Sequence, residues 1–405
     1  MDILDLAGLT AIHQRTDEAS QTRIVYAEIT DQPEKTNTCP HCGAVNSVRR
    51  HGISRHNYHD VPLRGRVVII EMKLRRFQCQ RCRKVFRQAP AGMDRKRSMT
   101  TRCVEWIRQQ SLRAPFSQVA EESGCSERVV REIADEYIKE QNDNYRPSMP
   151  HWLGIDEIYL EGRVEGPLCL LVDLENSQVI DILSDCRMDT LVSWLSSFNE
   201  TSKLRGVCMD MCEIYRRAVK RVFPDAEIMI DKFHVVRWAN KAVDIVRLRV
   251  GKLHSSERHV DDRKSCRPLL RKQRHSLSAR EREVLDGYLS RHQEIATAYY
   301  LKEDFFNIYK CGSRSDATKA LDKWERSVTG SMRPAFRELL KALVKWRVEI
   351  LAQFENEKTL ACTEAINSQV HDVSRAREGY SFEVLRGRLL FGRKAHRPLN
   401  GGRAA

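Results

Sequence analysis

The sequence predicts a multidomain α+β chain, and three observations carry that reading. Two Cys-x-x-Cys pairs, Cys39/Cys42 and Cys79/Cys82, lie in β-like sequence; residues 98–140 repeat apolar side chains at helical spacing; residues 151–250 alternate short apolar runs with amphipathic stretches. With 405 residues, the chain has room for several domains. Lys and Arg number 69 against 55 Asp and Glu, a formal net charge of +14, and 41% of residues are hydrophobic. That composition excludes a collagenous or disordered chain. The positive excess points to a polyanion without choosing among DNA, RNA and anionic lipid. No uncharged apolar run approaches the roughly 20 residues of a membrane span, so no membrane partner is expected. Residues 1–20 lack the basic start and apolar stretch of an export signal. The 13 cysteines therefore read as reduced thiols or metal ligands in a cytoplasmic protein.

Residues 1–97 make the first expected unit, a β segment with a zinc ribbon. TRIVYAEIT and RVVIIEMKLRRF are its strands, and CPHCG and CQRC its knuckles. A tight knuckle turns both thiolates of a pair to one side, so two knuckles complete a tetrahedral sulfur site for Zn²⁺ at Cys39, Cys42, Cys79 and Cys82. Gly43 suits the turn after the first pair. A redox Cys-x-x-Cys is the functional rival but needs no second pair, and four unrelated buried cysteines remain the bland reading. His41, His51, His56 and His59 are substitute ligands, though four thiolates are simpler. Residues 49–97 hold 15 Lys/Arg against 3 Asp/Glu, which tilts the ribbon toward nucleic acid, with Arg75 and Arg76 as candidate DNA contacts.

Residues 98–140 follow as a candidate helix-turn-helix. In FSQVAEESGCSERVVREIADEYI, Ala120 sits where two helices meet, Gly124 where the chain turns, and Ser126 where an N-cap belongs. Val129, Val130 and Ile133 pack the second helix, placing Arg128 and Arg131 near its start as candidate DNA contacts. An ordinary helical hairpin fits the same pattern. The polar, proline-closed stretch 141–150 reads as a linker.

Residues 151–250 read as strands WLGIDEIYL, PLCLLVDLE and QVIDIL, helix DTLVSWLSSF, strand RGVCMD, helix EIYRRAVKRVF, strand AEIMID and a long helix from Lys232. This β-β-β-α-β-α-β-α order resembles the ribonuclease-H-like fold, in which the first and fourth strands are neighbours. Asp156 and Asp210 would then converge, and a strand-end acid in a core is costly unless paired or bound to a cation. Two such carboxylates suit Mg²⁺ or Mn²⁺. Asp173 and Asp231 compete, since strand-end Asp also caps turns. A third acid must come later. In CTEAINSQVHDVSR, Glu364, Asn367 and His371 share one helix face, although composition does not separate Glu364 from other late glutamates. Residues 251–355 contain no persuasive strand and read as an all-helical insertion, 356–392 as C-terminal helices of the catalytic core, and 393–405 as a disordered tail.

With CPHCG and CQRCRKVF, GIDEIYL, VCMDMCEIYRRAV, IDKFHVVRWAN, AYYLKEDFFNIY, and TEAIN followed by REGYSFEVLRGRLL, the chain resembles an insertion-sequence transposase of the ISL-three family. The resemblance runs from Cys39 to about Phe391. It implies a DDE triad of Asp156, Asp210 and Glu364, although Ala365 stands where the family often has Gly. Asp231 and His234 resemble an Asp-x-x-His element of several transposase families, with Asn367 as further support; a histidine packing the helix start is the alternative. The implied activity is metal-dependent DNA cleavage followed by attack of the freed 3′ hydroxyl on target DNA. The implied partners are double-stranded DNA, at element ends and target, and a second copy in a homodimer or larger synaptic complex. The implied setting is the bacterial nucleoid. A non-catalytic DNA-binding regulator and a nuclease that cuts without joining are the rival readings.

Overall fold

In the stretch RVVIIEMKLRRF the buried set Val68, Ile70, Met72 and Leu74 follows a period of two. A computed structural model describes residues 6–30, 37–159, 166–198, 203–253, 266–355 and 380–392. They form two units, one containing the described residues up to Arg146 together with 380–392, the other 147–355.

In the first unit β1 (Leu9–Asp17), β2 (Thr22–Ile29), β3 (Val48–Leu63) and β4 (Arg66–Cys79) form a sheet in the order β1-β2-β4-β3, with β5 (Val85–Arg87) on β4. β3 and β4 make a long antiparallel hairpin closed by Arg64 and Gly65, both at positive φ, as a two-residue turn between right-twisted strands requires. Register shifts between Arg50 and Ile53, where Gly52 has φ +106°. Three helices follow: α1 (Thr101–Ser111), α2 (Phe116–Ser123) and α3 (Glu127–Asn144). Thr100 caps α1 and Ser126 caps α3, each through its hydroxyl. Gly124 ends α2 at φ +68°, where a Cβ would stand 2.5 Å from Val67 on β4, so the turn between the helices lies against the hairpin. His59 Nδ1 adds a 3.1 Å hydrogen bond to the Ser123 carbonyl.

The helix Phe382–Phe391 also packs in this unit. Val384 joins the core of α1–α3, and Gly387 passes so close to Ile138 that a Cβ there would sit 2.8 Å away.

In the second unit the sheet order is β10-β9-β6-β7-β8, built from β6 (Trp152–Ile158), β7 (Leu168–Asp173), β8 (Gln178–Leu183), β9 (Gly206–Met209) and β10 (Glu227–Ile230). β6, β7 and β8 form an antiparallel meander, while β9 and β10 run parallel to β6. The helices are α4 (Met188–Leu195), α5 (Glu213–Val222) and α6 (Lys232–Leu253). The element order and the pairing of first with fourth strand are those expected. Near-continuous apolar runs such as LCLLV fit strands buried on both faces.

From residue 266 to 355 the described chain is helical, with Ala279–Arg291, Gln293–Ile308, Arg314–Ser327 and Arg337–Ala352 as its main helices. Lys302 is fully buried there, donating to the carbonyls of Leu270 and Lys272 at 2.8 and 2.9 Å and pairing with Glu303. A buried ammonium is tolerable only with such partners. No helix among the described residues is long and apolar enough to cross a membrane.

Candidate active site and thiolate cluster

Strand register builds the carboxylate site. Ile155 on β6 pairs with Met209 on β9, and Met209 with Ile230 on β10. One residue further along each strand stand Asp156, Asp210 and Asp231, at the C-terminal edge of three parallel neighbours, where open α/β sheets leave a crevice. The His234 imidazole reaches in from the first turn of α6: Nε2 lies 2.7 Å from Asp210 Oδ1, 3.9 Å from Asp156 Oδ1 and 3.7 Å from Asp231 Oδ2. Asp156, Asp210 and His234 each place a ligand atom within 4.8 Å of the others.

Burial, then the neighbouring Asp210 charge, pushes the Asp156 carboxyl up to about 6. Asp231 is raised by burial as well, against hydrogen bonding from the Phe233 amide. Burial pulls the His234 imidazole down, but the Asp210 hydrogen bond and the surrounding carboxylate charges outweigh it and raise it. A crowded set of half-dry acids is electrostatically incomplete, and oxygen donors at this spacing fit a hard divalent cation.

Of the competing acids, Asp173 is excluded from the site by its place in the sheet. It lies opposite Leu153, and its carboxylate accepts from the amides of Glu175 and Asn176, capping the β7–β8 turn. Asp231 does both things the sequence allowed. Its Oδ1 accepts from the Phe233 amide at 3.0 Å, capping α6, while Oδ2 faces His234. Glu364 and Asn367 lie outside the described residues.

Sequence reasoning missed a second network behind Asp156. Glu157 accepts from Tyr215 Oη at 3.0 Å and from Tyr159 Oη at 2.7 Å. Tyr215, on α5, is fully buried, so its hydroxyl anchors the end of β6 from the opposite face. The signal was the acidic pair Asp156-Glu157 in a core strand, where alternation sends the two side chains to opposite faces.

In the first unit the four expected cysteines converge. Sγ of Cys39 and Cys82 are 3.7 Å apart, as are those of Cys42 and Cys79. A tetrahedron with zinc–sulfur bonds of about 2.3 Å has sulfur–sulfur edges of roughly 3.8 Å, so the thiols already stand at its corners. The two knuckles repeat one geometry: the Gly43 and Arg83 amides donate to the Cys39 and Cys79 carbonyls at 2.9 Å, and both residues have positive φ. Backbone amides, that of Cys82 foremost, bring the Cys79 thiol down. At Cys42 the Ala44 amide is outweighed by burial and the neighbouring thiols, which push that thiol up, the mark of four crowded thiols sharing protons. Among the described residues no histidine joins this cluster; His59 is engaged with Ser123 instead.

A model of ISL3-type DDE transposases matches residues 153–389, and a model described as the zinc-finger of transposase IS204/IS1001/IS1096/IS1165 matches residues 35–82. The chain belongs to the ISL3 family of DDE transposases. The transposase for insertion sequence element IS1001 of Bordetella parapertussis is 22% identical over 368 residues, covering 90% of this chain and 89% of that one. The transposase for insertion sequence element IS1557 of Mycobacterium tuberculosis is 24% identical over 277 residues, covering 62% of each. The family match takes in Asp156, Asp210 and Asp231, and the zinc-finger match takes in all four thiols.

The candidate DNA contacts of this transposase are scattered. Arg128 and Arg131 on α3 pair with Glu132 and Glu127, each through Nε at 3.0 Å, and Arg131 also lies over the Phe116 ring. Arg75 and Arg76 are adjacent in sequence but point to opposite faces of β4, Arg75 lying across from Ile53 and Arg76 across from Arg87.

Proposed function

We propose that this transposase binds the ends of an insertion sequence as double-stranded DNA and catalyses metal-dependent strand cleavage and strand transfer at Asp156 and Asp210. The observation that carries the proposal is the register row that sets these two carboxylates side by side at the strand ends, with His234 against Asp210. Asp156 and Asp210 would hold magnesium or manganese, and Glu364 is proposed as the third acid. Bound there, the divalent cation supplies the Lewis acidity for in-line phosphodiester displacement. His234 donates to Asp210, turns that carboxylate and balances part of its charge. Glu157 and Tyr215 hold the end of β6 so that Asp156 does not swing out of the row. The four thiols would hold structural zinc, and the ribbon with α1–α3 would bind the terminal repeats, α2–α3 acting as a helix-turn-helix. Joining two ends in one event calls for a dimer or larger assembly.

The test is cleavage and joining of DNA carrying the sequences that flank the gene, in magnesium, by the whole chain and by Asp156→Ala, Asp210→Ala and Glu364→Ala. Each variant should lose both products by at least about a thousandfold while still binding. Wild-type binding without any cutting would make the protein a regulator, and cutting without a joined product would make it a nuclease.

A further inference from the structure

The cross-strand register of β3 and β4 creates a surface that the sequence order hides. Directly paired residues of an antiparallel ribbon share a face. Ile53 pairs with Arg75, Arg55 with Lys73, and Asn57 with Glu71. The opposite face of this half of β4, with Ile70, Met72 and Leu74, is buried in the β-sheet core. The face with Ile53 is therefore the solvent side of the β3–β4 hairpin, which β2 flanks as far as Met72 and β5 from Arg76 onward, and it gathers three cations around an isoleucine that is 69% exposed. Glu71 is its one acid, 3.8 Å from an Arg55 side chain that remains 74% exposed. No carboxylate among the described residues pairs with Lys73 or Arg75. A single exposed isoleucine is ordinary on a protein surface; what marks this face is that Lys73 and Arg75 beside it have no carboxylate partner among the described residues.

We propose that this ribbon face, and not the start of α3, is the sequence-reading element of the protein, lying in the major groove of the element end. The inference rests on the reading of the chain as a DNA-binding transposase and specifies the contact. The B-DNA major groove, about 12 Å wide, accepts a two-stranded β-ribbon as readily as a helix. Arg55, Lys73 and Arg75 offer donors for guanine O6 and N7, and Ile53 offers an apolar contact for a thymine methyl. The start of α3 is exposed but its charge is already balanced: Arg128 and Arg131 pair one to one with Glu132 and Glu127, and the turn before it packs on Val67 and His59. In this arrangement α3 contacts phosphate, and the ribbon reads bases.

The experiment measures binding of the zinc-loaded full chain to an element-end duplex and to a scrambled duplex of equal length, with guanine-N7 methylation interference on the element end. Arg55→Ala, Lys73→Ala and Arg75→Ala should each weaken binding to the element end about 5- to 100-fold. They should weaken binding to the scrambled duplex less, and erase one or more interference positions. Arg128→Ala and Arg131→Ala should weaken both duplexes alike. Zinc content and melting temperature, unchanged in these surface variants, separate lost contacts from lost fold. Ribbon variants that keep wild-type specificity while the wild type binds and cuts the element end overturn this inference alone. Specificity lost only in the α3 variants, or equal losses on both duplexes from the ribbon variants, overturn it as well. A wild type that neither binds nor cuts the element end overturns the transposase reading together with it.

Discussion

His234 Nε2 lies 2.7 Å from Asp210 Oδ1, so a residue outside the strand row is joined to its central acid. A histidine so placed orients the carboxylate and tempers its charge, as partners of ligating groups commonly do. His234→Ala should lower cleavage about 10- to 100-fold and raise the magnesium concentration needed for half-maximal rate, with DNA binding unchanged. His234→Gln, which keeps an N–H donor, should recover part of the loss. A metal titration of cleavage decides it: identical half-saturation for wild type and alanine variant would remove His234 from the site.

Asp231 faces the same histidine, yet its other oxygen caps α6. The two roles separate by substitution. Asp231→Ala should lose roughly 1 kcal/mol of stability through the missing cap, and Asp231→Ser should regain most of that. If cleavage follows stability across the pair, Asp231 is a cap alone. Cleavage that stays low in the stable serine variant shows that its charge matters to the site. Thermal melts beside cleavage rates give the answer.

The thiol cluster makes a prediction about metal. Elemental analysis should find one zinc per chain, and Cys79→Ser should lose it together with the ribbon fold, because such metal binding and folding are coupled. Binding to element ends should fall with the zinc. Proteolysis should then cut within residues 37–87 while the unit containing Asp156 survives. Zinc-free protein that remains folded and binds DNA normally would refute the assignment.

How much of this was legible in the sequence depended on the range of the interaction. The four cysteines were readable because knuckle spacing is a local pattern, and the convergence of Asp156 with Asp210 because the element order resembles the ribonuclease-H-like fold, whose first and fourth strands are neighbours. β1 was not: LTAIHQRTD buries only Leu9, so the edge strand carries no alternation to detect. Nor was the split of Arg75 from Arg76, which depends on strand register, or the Glu157–Tyr215 bond, which spans 58 positions. The docking of Phe382–Phe391 was equally hidden, since its partners lie more than 240 residues earlier.

That last contact carries a prediction of its own. Arg388 is buried, with its guanidinium 3.9 Å from the Tyr380 ring centroid and 5.0 Å from that of Phe116, and it donates to the Ala114 carbonyl at 2.6 Å. Burial lowers its proton affinity, so the aromatic faces and the carbonyl must offset the lost hydration. Lysine cannot reproduce a flat cation lying against two rings while donating to a carbonyl. Arg388→Lys should therefore destabilise the first unit by roughly 2–4 kcal/mol. It should also expose the C-terminal helix to protease before α1–α3 unfold. Hydrogen exchange of residues 382–391 measures this directly. Protection equal to wild type in the lysine variant would show that Val384 and Gly387 hold the helix in place without the arginine.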